Sequence, residues 1–207
     1  MENPWLRIPA EDYEGHMASP GVQQSQFLRS AFGRVLDTYK PKSLLVLGCA
    51  TGNGFEHIDH KITKRVTGID LNREYLKLAE SRFQKQLPNL EFYCGDIQDC
   101  FFEPSSFELI HAGLFFEYVK PVAVVAKAAK WLSPGGILSV ILQLPSKKAG
   151  MVSQTSYKTL DLLNSIMSLV CPNELSSICK SWNLLAESEE KVTLETGKEF
   201  YIGCFKA

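Results

Sequence analysis

No lysine closes the glycine-rich turn of this chain, no two cysteines form a C-x-x-C pair, and no apolar run nears the roughly 20 residues that cross a bilayer. Each absence excludes a class of function. Without G-K-[ST], a bound triphosphate would lack its usual counter-charge. Without C-x-x-C, the scattered Cys49, Cys94, Cys100, Cys171, Cys179 and Cys204 read as nearly all buried thiols in a reducing compartment. His57 and His60 stand at i, i+3 on an expected helix, but no third ligand accompanies them, so no metal site is expected. The N-terminus lacks the basic and apolar regions of a signal peptide, and a cytoplasmic protein with no membrane attachment is expected. Charge of one sign is also missing. A net −1 gives no global attraction to nucleic acid, which is disfavoured as a partner.

What is present is an alternation of strand and helix signals, which predicts an α/β sheet with helices on both faces. The chain has 207 residues, 45% of them hydrophobic and 22% charged, which suits a single domain over 1–207. A helix is expected over about 22–39, then strands over 43–47, 65–69, 90–94, 107–111 and 137–142. A second helix is expected after the glycine turn. Asn72 reads as the N-cap of a third, with Tyr75, Leu76, Ala79, Phe83 and Leu87 on one stripe. Pro121 reads as the first residue of a fourth. Beyond them, 155–170 is in helical register, Pro172 opens another helix, and 184–205 reads as an antiparallel hairpin turning at Thr196-Gly197. Its exposed edge is a candidate surface for pairing two subunits.

The chemistry centres on Val46-Leu47-Gly48-Cys49-Ala50-Thr51-Gly52-Asn53-Gly54, followed by Val66-Thr67-Gly68-Ile69-Asp70. An apolar strand, a turn whose glycines admit close backbone approach, and a second strand ending in a carboxylate make a nucleoside-binding half-site. Nicotinamide and flavin proteins need G-x-G-x-x-G, and here the place of the third glycine is taken by His57. An adenosine carrying no phosphate is the remaining reading. The motif resembles the first motif of the class I S-adenosylmethionine-dependent methyltransferases, and in particular a broad bacterial group with generic methyltransferase domains. It departs from the family at Ala50, where glycine is usual, so a positive φ there would not be cheap.

The resemblance covers about residue 27 to the C-terminus. It implies a Rossmann-like doubly wound sheet, mostly parallel, with an antiparallel C-terminal hairpin strand. It implies S-adenosylmethionine as cofactor and S-adenosylhomocysteine as product. Gly48, Cys49, Ala50, Thr51, Gly52, Asn53 and Gly54 would pack against the methionine moiety, Asp70 and Leu71 would meet the ribose, and Asp96 and Ile97 the adenine. Gly113 and Leu114 lie at the end of the fourth strand, before Phe116-Glu117-Tyr118-Val119, which is close to the family's Leu-Glu-x-Val. No Asn-Pro-Pro-Tyr sequence, the mark of amino-methylating DNA enzymes, follows that strand.

Methyl transfer from a sulfonium has an excellent leaving group, so a base is needed only for a nucleophile that holds its proton. Tyr13, His16 and Glu117 are the candidates. Residues 1–20, rich in aromatic and acidic groups, read as a lid bringing Tyr13 and His16 to the site, or as a segment packed structurally against the sheet. Glu117 reads alternatively as a helix-start cap. A helical insert over 150–182 would shape the pocket of a small-molecule acceptor. A non-catalytic cofactor-binding sensor or scaffold, and a protein or RNA acceptor, stand as alternatives. Oligomeric state is not legible.

Overall fold

A computed structural model describes residues 2–146 and 151–207, so the first residues of the expected lid (residue 1) and of the expected insert (residue 150) lie outside the described residues. Seven strands form one sheet: β1 Ser43–Leu47, β2 Arg65–Asp70, β3 Leu90–Cys94, β4 Phe107–Gly113, β5 Leu132–Gln143, β6 Leu185–Thr193 and β7 Glu199–Lys206. Their order is β3-β2-β1-β4-β5-β7-β6. The first five run parallel, and β7 lies antiparallel to both β5 and β6. The helices are α1 Ala10–Ala18, α2 Gln24–Tyr39, α3 Arg73–Phe83, α4 Pro121–Trp131 and α5 Pro172–Ser181.

The period of two along a strand sorts β1 between two cores. Leu44 and Val46 join Phe32, Val35 and Leu36 of α2 and Leu76 of α3. Leu45 and Leu47 join Val124, Val125 and Ala128 of α4 and Leu175 and Cys179 of α5. Both faces of a central parallel strand are therefore covered, as an uninterrupted apolar run requires. Each such Leu or Val contributes about 2 kcal/mol by leaving water.

α3 starts where expected: the Asn72 side chain accepts from the Glu74 and Tyr75 N–H groups. The expected helix after the glycine turn does not form. Gly54 takes φ +90°, only a 3₁₀ turn at Phe55–His57 follows, and Ile58 is already extended. Asp59 then accepts the Lys61 N–H with its own carboxylate, diverting backbone from helix formation. His57 and His60 thus share no helix face, and among the described residues no group of three or more His, Cys, Asp or Glu is placed to hold a metal.

The expected helix over 155–170 is likewise reduced to a 3₁₀ segment, Lys158–Ser165. There Leu160 and Leu163 fall one above the other, as three residues per turn dictates, and both are buried. Asn164 and Ser165 side chains donate to the backbone carbonyls of Asp161 and Leu162, competing with the helical ladder.

β5 begins five residues earlier than its apolar core suggests, through the irregular Leu132–Gly136 stretch. Edge strand β6 is exposed almost throughout and carries Glu187, Glu189, Glu190 and Lys191, charges that discourage a further strand from pairing. Cys49, Cys179 and Cys204 are buried, but Cys94 and Cys171 are exposed, against the expectation of burial for nearly all. No helix among the described residues is long and apolar enough to cross a membrane.

Candidate functional site

The carboxyl ends of β1 to β5 open on one cavity, where ligands of open α/β sheets bind. Gly48, Ala50, Asp70, Leu71, Asp96, Ile97, Gly113 and Leu114 all line it. The remaining glycine-turn residues do not. Thr51, Gly52 and Asn53 line a separate depression beside α1 and Arg82. Thr51 donates to Glu14, and Asn53 donates to the Ser25 carbonyl, so both anchor the N-terminal elements. Cys49 is buried among the α2-side core residues, and a side chain on Gly54 would meet Phe32 at 2.9 Å.

Asp70 ends β2, and its two oxygens are held by the turn they join. Oδ2 accepts from the Ala50 N–H at 2.9 Å and Oδ1 from the Asn72 N–H at 2.8 Å. Burial pushes its carboxyl above the usual value, against the pull of the N–H groups of Asn72, Ala50 and Leu71. Each oxygen retains a lone pair for a ligand hydroxyl. Gly48 takes φ +62°, and a Cβ there would stand 2.6 Å from the Phe115 ring, so only glycine keeps this wall open. Ala50 also takes a left-handed φ, +46°. The Asp96 carboxylate accepts from the Gln98 backbone and side chain. The short 3₁₀ turn offers no helix N-terminus at the glycine turn, so the usual phosphate-binding element is absent there. These features fit an adenosine group that carries no phosphate.

The N-terminal segment lines the cavity with Asn3, Trp5, Tyr13, His16 and Met17 and is also part of a core. Trp5, Tyr13 and Tyr118 pack on Ile8, Val152, Leu160 and Leu163. Trp5 meets Tyr118 edge-on at 5.0 Å, and Tyr13 stacks on Tyr75 at 5.5 Å. Besides the Thr51–Glu14 contact, the segment is fastened to α3 and its N-cap. The Asn72 side chain donates to the Trp5 carbonyl at 3.0 Å, the Tyr75 hydroxyl to the Ile8 carbonyl at 2.9 Å, and Arg82 pairs with Glu14. Tyr13 and His16 both line the cavity. The segment thus packs structurally, as one of the two expectations had it, and also lends Tyr13 and His16 to the cavity wall. Burial raises the Tyr13 hydroxyl pKa far above its ordinary value. Burial, then the charge of Lys198, lowers that of His16, so its imidazole is neutral at neutral pH.

Glu117 stands apart. It is 1% exposed and is not among the residues lining the cavity. One carboxylate oxygen accepts the Gln143 N–H at 2.7 Å, and the other is buried with no hydrogen-bond partner among the described residues. Burial pushes its pKa up to about 7. Of the two adjoining rings, Phe116 is core and Phe115 lines the cavity. The expected insert divides: Leu160, Leu163 and Met167 line the cavity, whereas α5 packs in the core beside α4.

Sequence reasoning missed Gln24, Gln143 and Lys198 in the cavity wall. A lysine just past a Thr-Gly hairpin turn reads as solvated, and nothing local signals its burial.

Residues 44–136 match the family model described as a methyltransferase domain. The chain is 32% identical over 111 residues to the phthiotriol/phenolphthiotriol dimycocerosates methyltransferase of Mycobacterium leprae, covering 53% of this chain and 40% of that protein. It is 31% identical over 124 residues to the trans-aconitate 2-methyltransferase of Deinococcus radiodurans, covering 57% and 45%. The chain thus spans less than half the length of these relatives. Among solved structures, an S-adenosylmethionine-dependent methyltransferase from Mesorhizobium loti superposes with a TM-score of 0.66 at 16% identity, over 86% of this chain and 98% of that one. Geranyl diphosphate C-methyltransferase from Streptomyces coelicolor, solved with geranyl diphosphate and S-adenosyl-L-homocysteine, gives 0.67 at 11% identity, over 93% and 87%. The seven-stranded sheet, the motif at the end of β1 and the match of residues 44–136 to a methyltransferase-domain model are what this chain shares with the class I S-adenosylmethionine-dependent methyltransferases.

Proposed function

We propose that this protein transfers a methyl group from S-adenosylmethionine to a small-molecule acceptor. The observation that carries the reading is the continuity of one cavity, from the strand-end acids Asp70 and Asp96 to an apolar chamber under Trp5, Tyr13, Leu160 and Met167. A capped chamber suits a small acceptor better than a protein or RNA segment. The names of the matched relatives, which include a trans-aconitate methyltransferase and a geranyl diphosphate methyltransferase, are in keeping with this.

S-adenosylmethionine supplies, when bound, a methyl group on a sulfonium that departs as a neutral thioether. The chain's own contribution is binding, alignment and exclusion of water. Asp70 holds the ribose hydroxyls, Asp96 and Ile97 the adenine, and the Gly48 and Gly113 backbone the amino-acid end. Tyr13 orients the acceptor. His16, neutral and held at Nδ1 by the Thr155 hydroxyl at 3.0 Å, takes a proton from a protic nucleophile through Nε2. Glu117 holds the Gln143 backbone rather than touching the acceptor.

Calorimetric titration with S-adenosylhomocysteine tests the reading. Micromolar binding by the wild type and a loss of about tenfold or more in Asp70→Ala is expected. No binding by folded wild type overturns it.

A further inference from the structure

Lys198 lies between the turn of the C-terminal hairpin and β7, yet it is 2% exposed and lines the cavity. Its Nζ reaches two acceptors, Gln143 Oε1 at 3.3 Å and the Met151 carbonyl at 3.4 Å. Both are neutral and both contacts are long for a charged donor. No ion pair found among the described residues includes Lys198. An ammonium has three donors and a full charge, so among the described residues one donor has no acceptor and the charge has no anionic partner.

Its surroundings supply a further donor, while the nearby acids are engaged elsewhere: Glu117 accepts the Gln143 N–H and Asp161 acts on His16, and no described carboxylate pairs with Nζ. Gln24 Nε2 donates to the same Gln143 Oε1 at 3.1 Å, so one amide oxygen serves two donors. His16 lines the same cavity and feels the charge of Lys198. Burial lowers the Lys198 ammonium to about 8, which leaves it mostly charged at neutral pH. An unpaired buried cation is costly to a fold, and its retention in a cavity wall is explained when an anion arrives to pair with it.

Resting on the methyl-transfer reading for the word acceptor, we propose that Lys198, with Gln24 beside it, forms an anion subsite that selects an acceptor carrying a carboxylate on an apolar body. One ammonium among neutral donors matches a monoanion, whereas a phosphate dianion calls for more positive charge. The apolar body faces Val152, Leu160, Leu163 and Met167. The other carboxylate that could reach this cavity is that of the cofactor's own amino-acid end. Lys198 and Gln143 belong to the β5–β7 side of the sheet, whereas of the two backbone groups given to that end Gly48 closes β1, two strands from β5, and Gly113 closes β4, beside β5, so the cofactor's carboxylate is aimed between β1 and β4. That position favours the acceptor's carboxylate.

The test compares benzoate and octanoate with benzamide and octanamide by calorimetry, using wild type, Lys198→Met and Lys198→Arg, each with and without saturating S-adenosylhomocysteine. Wild type is expected to prefer each carboxylate to its amide by about tenfold or more. Lys198→Met should abolish the preference, Lys198→Arg should retain part of it, and S-adenosylhomocysteine affinity should stay within about twofold throughout. Equal binding of acids and amides by wild type overturns the proposal. So does a fall in S-adenosylhomocysteine affinity in Lys198→Met with the acid preference unchanged, which would assign the charge to the cofactor. Should wild type fail to bind S-adenosylhomocysteine, the methyl-transfer reading fails, while the measurements made without it still decide whether Lys198 holds an anion. A thermal melt of Lys198→Met verifies that it folds, and Lys198→Arg carries the test if it does not.

Discussion

Ala50 donates its backbone N–H to Asp70 Oδ2 at 2.9 Å while holding φ at +46°. The turn needs a left-handed residue there to aim that N–H at the end of β2, and the chain meets the need with alanine. Left-handed φ costs a residue with a Cβ about 1–2 kcal/mol. Ala50→Gly removes that cost but adds unfolded-state entropy of about 0.4–1 kcal/mol. A net gain of about 0.5–1 kcal/mol in urea unfolding is expected, with S-adenosylhomocysteine binding kept. A less stable variant would mean that the turn is not strained.

Glu117 gives the protein a pH dependence of definite sign. Its carboxyl rises from the usual 4.5 to about 7 on folding. The folded state therefore binds the proton more tightly than the unfolded one. This contribution is complete below pH 4.5 and is lost as pH rises through about 7, a change of about 3 kcal/mol. Glu117→Gln keeps an oxygen to accept the Gln143 N–H and cannot ionise. It is expected to equal or trail wild type in stability below pH 4.5 and to exceed it above pH 7. Unfolding curves that stay parallel across that window would refute the assignment.

Glu14 joins α1 to both the glycine turn and α3, through Thr51 and Arg82. Its pairing with Arg82 is partly exposed, so Glu14→Ala should cost under about 1 kcal/mol of stability. Its effect on binding should be larger, because the cap is then no longer pre-positioned. A weakening of about threefold to tenfold in S-adenosylhomocysteine affinity is expected, with faster amide exchange over residues 10–18. Unchanged exchange and affinity would show that the cap is held by its aromatic packing alone.

Tyr13→Phe keeps the stacking on Tyr75 and loses only the hydroxyl. With an acceptor in hand, it should raise KM more than it lowers kcat, as befits orientation. His16→Ala should lower kcat by about 10²-fold or more for a protic nucleophile, with partial rescue by free imidazole. If both variants keep full turnover and cofactor affinity, neither residue serves the reaction.

Much of the frame was legible locally. β1 and β3 coincide with their expected spans, because each is a short run rich in strand-forming residues bounded by turn residues, Lys40-Pro41 and Gly48 for β1, Pro88-Asn89 and Gly95-Asp96 for β3. Asn72 and Pro121 mark helix starts by chemistry that acts within a single turn. The missing helix after Gly54 shows where such reading ends. The side chains of that segment satisfy backbone groups locally, and a propensity average does not register the competition. Asp70 was legible because its place at a strand end follows from chain order.

The sequence by itself determined the alternation of strands and helices, the glycine turn with Asp70 at the end of the next strand, and the two apolar faces of the sheet, since strand period and turn chemistry act between near neighbours. Tertiary structure alone decided which glycine-turn residues face the cavity, that Glu117 stands behind its wall, and that Lys198 stands in it. Those placements depend on contacts across long sequence separations. Gln24 meets Gln143, Lys198 meets Gln143, and Glu117 meets that same residue's backbone, and only the folded sheet brings β5, β7 and the start of α2 to one point.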